Sequence, residues 1–385
     1  MRRPFRLLSI AHSYCVALNR RLAHEMALVG GNQWEVVAVA PSFFHGDLRP
    51  VALEIIQDEA CELRPVRANF TKQIHVMLYG RGLRETLREG WDVIHCWEEP
   101  YIFAGGQVAK WSPQNTALVY ATFQNIAKQY PPPFNWIERY SLSRASGWIA
   151  FGQTVAETLV ERASYSAIDC RVIPPGVDLN LFRPDSRARL RMRQQLNWDE
   201  SEVPVVGYLG RFVEEKGVRM LTRVLERIRS PWRALFVGAG PLDKELQTWA
   251  RAFGERVRVI TGVRHEQVPH FLNAMDVLCA PSQTTSRWRE QLGRMLIEAF
   301  ACGVPVLASD SGEIPHVVID AGLIVSEKDE ATWAETLACL LENRSQRSQL
   351  SERGLERAHT VYAWPVVARK HLDFFDQILD SRQKG

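Results

Sequence analysis

The sequence lacks the features that would indicate a membrane span, a nucleic-acid partner or a disulfide-bonded secreted protein. Over 385 residues, no apolar run approaches the ~18 residues of a membrane helix. The formal net charge of +3 is too small to indicate binding to nucleic acid. The seven cysteines are odd in number and have no metal-ligand spacing, which favours buried thiols in a reducing compartment. We therefore expect a cytoplasmic protein.

Several catalytic signatures are missing as well. There is no Asp-x-Asp pair and no cluster of histidine, cysteine and carboxylate with ligand spacing, so we expect neither a bound divalent metal nor a cofactor. There is no Gly-x-Ser-x-Gly elbow and no Walker loop. Only eight of the 47 basic residues are lysines, so a lysine within a motif carries more information than an arginine would.

What the sequence does contain is a regular alternation of strand-like and helix-like patterns. Strand patterns such as Phe5–Ala11 alternate with amphipathic patterns such as Leu18–Val29, with a less regular stretch at residues 42–90. Such alternation is typical of βαβ units and parallel sheets. We predict an α/β protein with two doubly wound, Rossmann-like sheets. Ligands bind beyond the carboxyl ends of such strands, which favours a site in a cleft between the two domains.

The alternation breaks once, near the middle of the chain. Residues 173–178 contain a Pro-Pro-Gly turn, and strand and helix patterns resume at residue 203 after an arginine-rich segment. We therefore place a first domain at residues 1–178 and a second at 179–362. The amphipathic stretch at the end of the chain predicts a helix within residues 363–385 that packs back on the first domain.

The segment 289–306 carries two acids, Glu290 and Glu298, beside an apolar helical pattern. The pattern predicts a helix that begins near Leu292 and ends at Gly303, with its first amides available to an anion. At 3.6 residues per turn, positions eight residues apart lie about 80° apart around a helix, so the two acids would not act as one carboxylate pair. Two solvated acids on a surface helix are the alternative.

A second candidate lies where the first strand of the second half ends. Gly210, Arg211 and Lys216 follow this strand, and two separated cations at a strand end suit a diphosphate. Surface cations beside Glu214 and Glu215 are the alternative. The glycines of 238–241 lack the third glycine of a dinucleotide fingerprint, so a tight strand-to-helix turn is the better interpretation.

In the first half, three polar side chains follow strand patterns: His12, His95 and Gln124. Each would project towards the cleft if the predicted topology holds. A lone histidine near a strand end is more often structural than catalytic, so both interpretations remain open.

Taken in order, these motifs resemble the retaining nucleotide-sugar glycosyltransferases of family 4, which have the GT-B fold. The resemblance rests on Gly210-Arg211 with Lys216-Gly217, Gly238-Ala-Gly-Pro241, Glu290 with Glu298, Gly303-x-Pro305, Pro174-x-Gly-Val-Asp178, and the run from Asp310 to Pro315. It covers nearly the whole chain and is strongest in the second half. It implies that the first domain serves the acceptor and the second binds the donor.

The resemblance also implies roles for individual residues. Arg211 and Lys216 would neutralise the donor diphosphate, and Glu290 would contact the donor sugar; these three are the candidate catalytic residues. The resemblance also implies a donor-binding set. The amides of Leu292 and Gly293 would contact phosphate, and Glu298 would bind the ribose. The set is completed by the segment around the base and by two further residues: Gly262, Val263, Arg264, Gly210 and Gln124.

Two departures from the family pattern concern the first domain. Gln124 stands where many members carry a histidine, and because glutamine is no general base at neutral pH, we expect it to bind a sugar hydroxyl. The loop 11–16 lacks the glycines common there, which leaves His12 or Tyr14 to face the acceptor. The acceptor-side candidates are His12, Tyr14, His95, Glu98 and Glu99.

The sequence therefore predicts a metal-independent, retaining hexosyltransferase. Its partners would be a UDP- or GDP-linked sugar and a glycan or lipid-linked acceptor in polysaccharide or glycoconjugate synthesis. Peripheral contact with the inner face of a membrane and the oligomeric state stay open. The alternatives are another nucleotide-sugar enzyme of the same fold, such as an epimerase, and a catalytically silent nucleotide-binding partner of a membrane assembly.

Overall fold

The computed structural model describes residues 3–45, 50–198 and 203–384, and its chain forms two compact units. The first consists of residues 1–175 and 364–385, and the second of residues 176–363. A parallel sheet forms the centre of each, with seven strands in the first unit and six in the second. The predicted α/β class with two doubly wound sheets is confirmed.

The sheet of the first unit is buried on both faces. In spatial order, its strands are Cys170–Val172, Gly147–Ala150, Ala117–Thr122, Val93–Cys96, Phe5–Ile10, Trp34–Pro41 and Glu62–Val66. The helices are Ala17–Gly30, Arg81–Thr86, Phe103–Trp111, Phe134–Arg144, Gln153–Val160, Ala163–Ser166 and Trp364–Lys384, with short 3₁₀ turns at His12–Cys15, Gly31–Gln33 and Ile74–Val76. Two small antiparallel pairs join Phe43–Phe44 to Val51–Ala52 and Ala68–Asn69 to Leu78–Tyr79.

The final helix belongs to the first unit although it follows the second in sequence. Trp364–Lys384 packs against Ala17–Gly30. Its apolar residues, among them Val367, Leu372 and Phe375, enter the core beneath the central strands. Burying such side chains contributes roughly 1.5–3 kcal/mol each, which is what holds this helix to the sheet.

The second unit repeats the same architecture. In spatial order, its strands are Val257–Ile260, Arg233–Val237, Val205–Leu209, Val277–Ala280, Val306–Ser309 and Gly322–Val325. Its helices are Ser186–Gln195, Val218–Arg227, Asp243–Arg251, Val268–Ala274, Arg294–Ala301, Ile314–Val318, Glu330–Glu342 and Arg344–Arg357, with 3₁₀ turns at Glu214–Lys216, Gly254–Arg256 and His265–Gln267 and a π-helical turn at Ala358–Tyr362.

One strand of the first parallel sheet lies in the stretch 42–90, for which the sequence predicted no element. Glu62–Val66 is the edge strand of the first sheet and pairs with Trp34–Pro41. It carries two charged residues and Pro65, and only Val66 among its five residues is buried. Because edge strands tolerate proline and polar residues, the period-2 apolar signal is absent here.

Two neutral histidines are buried between the first sheet and the final helix. His95 and His371 are fully buried, with ring centroids 5.4 Å apart. The Nε2 atom of His95 accepts a hydrogen bond from Trp97, and the Nδ1 atom of His371 donates to the carbonyl of Val367. Burial lowers the pKa of both, to about 4 for His371 and well below the ordinary value for His95.

Because both histidines are buried in their neutral form, we predict that acid weakens the docking of the final helix. In the unfolded chain they take up protons below pH ~6.5, whereas in the fold they stay neutral. The unfolded state then binds more protons, so stability is fully present above pH ~6.5 and falls as the pH is lowered. His371 alone accounts for a loss on the order of 3 kcal/mol by pH 4. Urea unfolding between pH 7.5 and 4 should show this loss.

A His371→Leu variant provides the control, because leucine has a similar volume and does not titrate. Its stability should equal or exceed that of the wild type near pH 7.5, since the buried Nε2 atom of His371 has no hydrogen-bond partner among the residues that the structure describes. Its stability should also fall less steeply with acid. Equal pH slopes for the two proteins would show that His371 is not responsible.

Candidate active site

A tight turn at the carboxyl end of strand Val205–Leu209 places the two predicted cations. The turn Glu214–Lys216 ends at Gly217, whose φ of 69° is left-handed and which begins helix Val218–Arg227. A Cβ atom at Gly217 would lie 1.8 Å from the carbonyl oxygen of Pro281, so only glycine fits. Arg211 remains 57% exposed, within 3.9 Å of Glu215, whereas Lys216 is largely covered.

Lys216 is in direct contact with Glu290. The ammonium lies 2.5 Å from Oε2 of Glu290, which also accepts a hydrogen bond of 2.9 Å from the hydroxyl of Ser282. The ring of Trp288 lies 5.0 Å from the Lys216 ammonium. The structure therefore joins two predicted catalytic residues that are 74 positions apart in sequence, and both side chains are largely buried.

The backbone of Glu290 is fixed by the loop that follows strand Val306–Ser309. The amide of Glu313 donates to the carbonyl of Glu290 at 3.0 Å. Gly312 has a φ of 56°, and a Cβ atom there would lie 2.1 Å from that carbonyl oxygen. This close approach explains the glycine in the motif 310–315.

The helix that follows Glu290 begins later than predicted. It runs from Arg294 to Ala301, not from near Leu292, because Gly293 has a left-handed φ of 75° and cannot continue a right-handed helix. The N-terminus of the helix has no side-chain cap. The amides of Leu292 and Gly293 thus precede the helix, and those of Arg294 and Met295 form its first turn.

Glu298 lies inside this helix, and only 7% of its side-chain surface is exposed. His265 holds one of its oxygens, with Nε2 at 3.0 Å from Oε1. The predicted base segment lies directly before His265: Gly262 with a left-handed φ of 71°, Val263 packed on the core, and exposed Arg264. Sequence reasoning missed His265, although its place after this segment was a usable signal.

The glycine turn at 238–241 packs against the cation turn. A Cβ atom at Gly238 would lie 1.8 Å from the carbonyl oxygen of Gly210, and one at Gly240 would lie 2.4 Å from that of Phe212. Gly210 also donates its amide to the carbonyl of Val237. The glycines therefore permit close packing of two strand-end turns.

In the first unit, Glu98 organises the loop after strand Phe5–Ile10. Its carboxylate is fully buried and accepts hydrogen bonds from the amide of His12 at 2.6 Å and the hydroxyl of Tyr79 at 2.6 Å, and its second oxygen lies 2.7 Å from Nδ1 of His12. His12 itself is partly exposed. Glu98 is thus a buried anchor, and His12 is the part of this pair that reaches the surface.

Glu99 anchors Gln124 by hydrogen bonds, as Glu98 anchors His12. It accepts hydrogen bonds from the hydroxyl of Thr122, the amide of Phe123 and the Nε2 atom of Gln124, at 2.7, 2.9 and 2.8 Å. The Oε1 atom of Gln124 accepts from the hydroxyl of Tyr130 at 2.8 Å. Burial raises the pKa of Glu99. The amide of Gln124 is therefore held in one orientation, in which its second N–H and the second lone pair of Oε1 can each bind a ligand hydroxyl.

Two acceptor-side predictions are wrong. Tyr14 is fully buried in the core, where its hydroxyl lies 2.7 Å from that of Ser9, and burial raises its pKa. His95 is equally buried, in the contacts with Trp97 and His371 described above. Neither side chain has surface left to offer a ligand, because both are fully buried.

Residues 3–45, 50–198 and 203–384 contain neither a metal-binding cluster nor a membrane-spanning helix. Within these ranges, no three or more of the histidine, cysteine and carboxylate side chains are grouped so as to hold a metal ion. Of the helices described there, none combines the length and apolar character needed to cross a bilayer.

Two family models match the chain. The model of glycosyltransferase family 4 matches residues 20–181, and that of glycosyl transferases group 1 matches residues 189–357. Each match lies largely within one of the two units.

Among similar curated proteins is the D-inositol 3-phosphate glycosyltransferase of Xylanimonas cellulosilytica, 28% identical over 307 residues, or 76% of this chain and 70% of that protein. Another is the GDP-mannose-dependent alpha-(1-6)-phosphatidylinositol monomannoside mannosyltransferase of Mycolicibacterium smegmatis. It is 33% identical over 257 residues, and the match covers 64% of this chain and 63% of that protein.

Solved structures share the fold over almost the full length. Sucrose-phosphate synthase from Thermosynechococcus elongatus superposes with a TM-score of 0.73 at 23% identity, covering 98% of this chain and 100% of that one. Anabaena HepE in complex with UDP superposes with a TM-score of 0.74 at 18% identity, and the match covers 97% of this chain and 100% of that one. The two matched family regions together span most of the chain, and the solved structures share its two sheets. The chain therefore belongs to glycosyltransferase family 4 and is an enzyme of the hexosyltransferase class with the GT-B fold.

Proposed function

We propose that this protein transfers a sugar from a UDP- or GDP-linked donor to a glycan or lipid-linked acceptor, with retention of configuration and without a metal ion. The observation that carries the proposal is the contact between Lys216 and Glu290 at the carboxyl end of the second sheet. A cation beside a carboxylate at a strand end suits the departure of a nucleoside diphosphate from a sugar, and this supports the proposal. Both groups are largely buried, so their electrostatic effect is stronger than in water.

The chemistry follows from the charges. As the bond between sugar and diphosphate breaks, negative charge grows on the leaving phosphate, and Lys216 with exposed Arg211 neutralises it. Arginine can fork two phosphate oxygens, and lysine provides a point charge. Glu290 orients the ammonium of Lys216 and accepts a hydrogen bond from a sugar hydroxyl. Two cations and the amides at the start of helix Arg294–Ala301 then perform the task that a divalent metal performs elsewhere.

The choice of donor and acceptor is supported by the relatives. One of them depends on GDP-mannose and acts on phosphatidylinositol monomannoside, another acts on D-inositol 3-phosphate, and HepE was solved with UDP. We assign the acceptor to the first unit, with His12 as a binding residue, and we keep for Gln124 the role of binding a sugar hydroxyl. A lipid-linked acceptor would place the reaction at the cytoplasmic face of a membrane.

A donor panel tests the proposal. The protein is incubated with UDP-glucose, GDP-mannose and an ADP-linked sugar, each with and without EDTA, and released nucleoside diphosphate is quantified. We expect slow release from one UDP- or GDP-linked donor, unchanged by EDTA, because Arg211 and Lys216 supply the neutralising charge.

Each other outcome contradicts a defined part of the proposal. No release from any donor would favour a silent nucleotide-binding protein, and conversion of the donor sugar without release would favour an epimerase. Loss of release in EDTA would contradict metal independence. Once an acceptor is found, the NMR coupling at the anomeric carbon of the product should show the configuration of the donor, and the opposite configuration would contradict retention.

A further inference from the structure

The pair formed by His265 and Glu298 is not accounted for by the roles proposed so far. Glu298 lies on helix Arg294–Ala301, and His265 begins the turn His265–Gln267 that follows the predicted base segment. Their side chains meet at 3.0 Å between Nε2 and Oε1. The ring of Phe182, itself 1% exposed, packs against that of His265 with centroids 5.2 Å apart. His265 is therefore held from one side by an apolar ring and from the other by a carboxylate.

The carboxylate has an incomplete set of partners. Within the described part of the chain, Oε1 of Glu298 takes the hydrogen bond of His265, and no side-chain donor is assigned to Oε2. The side chain keeps 7% of its surface exposed, and Oε2 is not among the fully buried atoms that lack a partner. A ligand hydroxyl can therefore donate to Oε2 in place of water.

His265 fixes which oxygen is available. An ionised carboxylate only accepts hydrogen bonds, so Nε2 of His265 must carry the proton. The terminal torsion of a glutamate side chain is broad, and nothing local prefers one rotation of the carboxylate. Holding Oε1 restricts this rotation and keeps Oε2 in place.

We propose that His265 is a positioning residue for ribose recognition: it holds Oε1 of Glu298 so that Oε2 accepts a hydrogen bond from a ribose hydroxyl of the donor nucleotide. This inference rests on the proposed function, which requires a nucleoside diphosphate at this site. His265 acts through Glu298 and does not touch the reacting atoms.

Discrimination between ribose and deoxyribose tests the role. Dissociation constants are measured by calorimetry on the full chain for UDP and GDP and for their 2′-deoxy and 3′-deoxy counterparts. A site that hydrogen-bonds a hydroxyl rejects the analogue that lacks it, so the wild type should prefer one ribonucleotide over a deoxy form by about tenfold or more. His265→Ala should weaken the binding of that ribonucleotide by about tenfold and leave the binding of the deoxy form nearly unchanged, so the preference is lost.

Three further variants separate positioning from general damage. His265→Gln, whose amide can donate at the place of Nε2, should restore most of the preference. His265→Ala combined with Glu298→Ala should bind no more weakly than Glu298→Ala alone, because His265 acts through Glu298. His270→Ala removes an exposed histidine from the following helix and should change neither constant.

The outcomes are distinguishable. A wild type that binds neither UDP nor GDP would overturn the proposed function. A wild type with the ribose preference and a His265→Ala variant that keeps it would overturn only the role of His265. Equal weakening of ribo and deoxy forms in His265→Ala would also overturn it, since that pattern indicates a structural role.

Discussion

Replacing Lys216 by alanine should lower sugar transfer on the order of 10³-fold. The ammonium is largely buried, contacts Glu290 at 2.5 Å and lies beside the ring of Trp288. In such a site, a single group that stabilises developing charge is worth about 10²–10³ in rate, and the loss is greater when a whole charge is removed. The measurement is kcat and KM for the donor identified in the panel.

The expected signature is a fall in kcat larger than any rise in KM, because the charge to be neutralised develops mainly in the transition state. Lys216→Arg keeps the charge and should recover part of the activity. Lys244→Ala, at an exposed position on helix Asp243–Arg251, is the matched control and should behave like the wild type. Since removal of Lys216 leaves Glu290 buried without its cation, unfolding is measured for each variant. A folded Lys216→Ala protein with wild-type kcat would refute the assignment.

Replacing Gly312 by alanine should damage both stability and transfer. Its φ of 56° costs a non-glycine residue about 1–2 kcal/mol, and the added Cβ atom would stand 2.1 Å from the carbonyl oxygen of Glu290. The backbone that carries Glu290 must therefore move. A displacement of about 1 Å at a reacting group can cost about 10² in rate, and we expect a loss of that order.

Gly254 offers a matched control in the same unit. Its φ is 55°, and within the described part of the chain no atom lies within 4 Å of the Cβ atom that a substitution would add. Gly254→Ala therefore carries the backbone strain without the clash, and it should lower Tm by about 2–8 °C and leave transfer intact. If Gly312→Ala resembled Gly254→Ala in both Tm and kcat, the contact with Glu290 would not constrain the site.

The regular part of the fold could be predicted because its signals are local. Many strands and helices follow from the alternation of apolar periods: the predicted strand Phe5–Ala11 is observed at Phe5–Ile10, and the predicted helix Leu18–Val29 at Ala17–Gly30. The edge strand Glu62–Val66 could not be found this way, since only one of its two sides pairs and its residues are mostly polar.

The candidate site was predictable only in part, because its contacts are not local. The order of the motifs identified Lys216, Glu290 and Glu298 as candidates. It did not predict the direct contact between Lys216 and Glu290, because these residues lie 74 positions apart. The contact of His265 with Glu298 spans 33 positions and follows from no pattern. Side-chain direction at a strand end was equally invisible, which is why buried Tyr14 and His95 were wrongly expected to face a ligand.

Binding of a nucleoside diphosphate by the second unit, through Lys216 and Glu298, is required by every role proposed above. Calorimetric titration of the full chain with UDP and with GDP measures this directly. We predict that one of the two binds with a stoichiometry near one, and that Glu298→Ala weakens this binding by about tenfold or more. Failure of both nucleotides to bind, or binding that neither Glu298→Ala nor Lys216→Ala alters, would contradict the account.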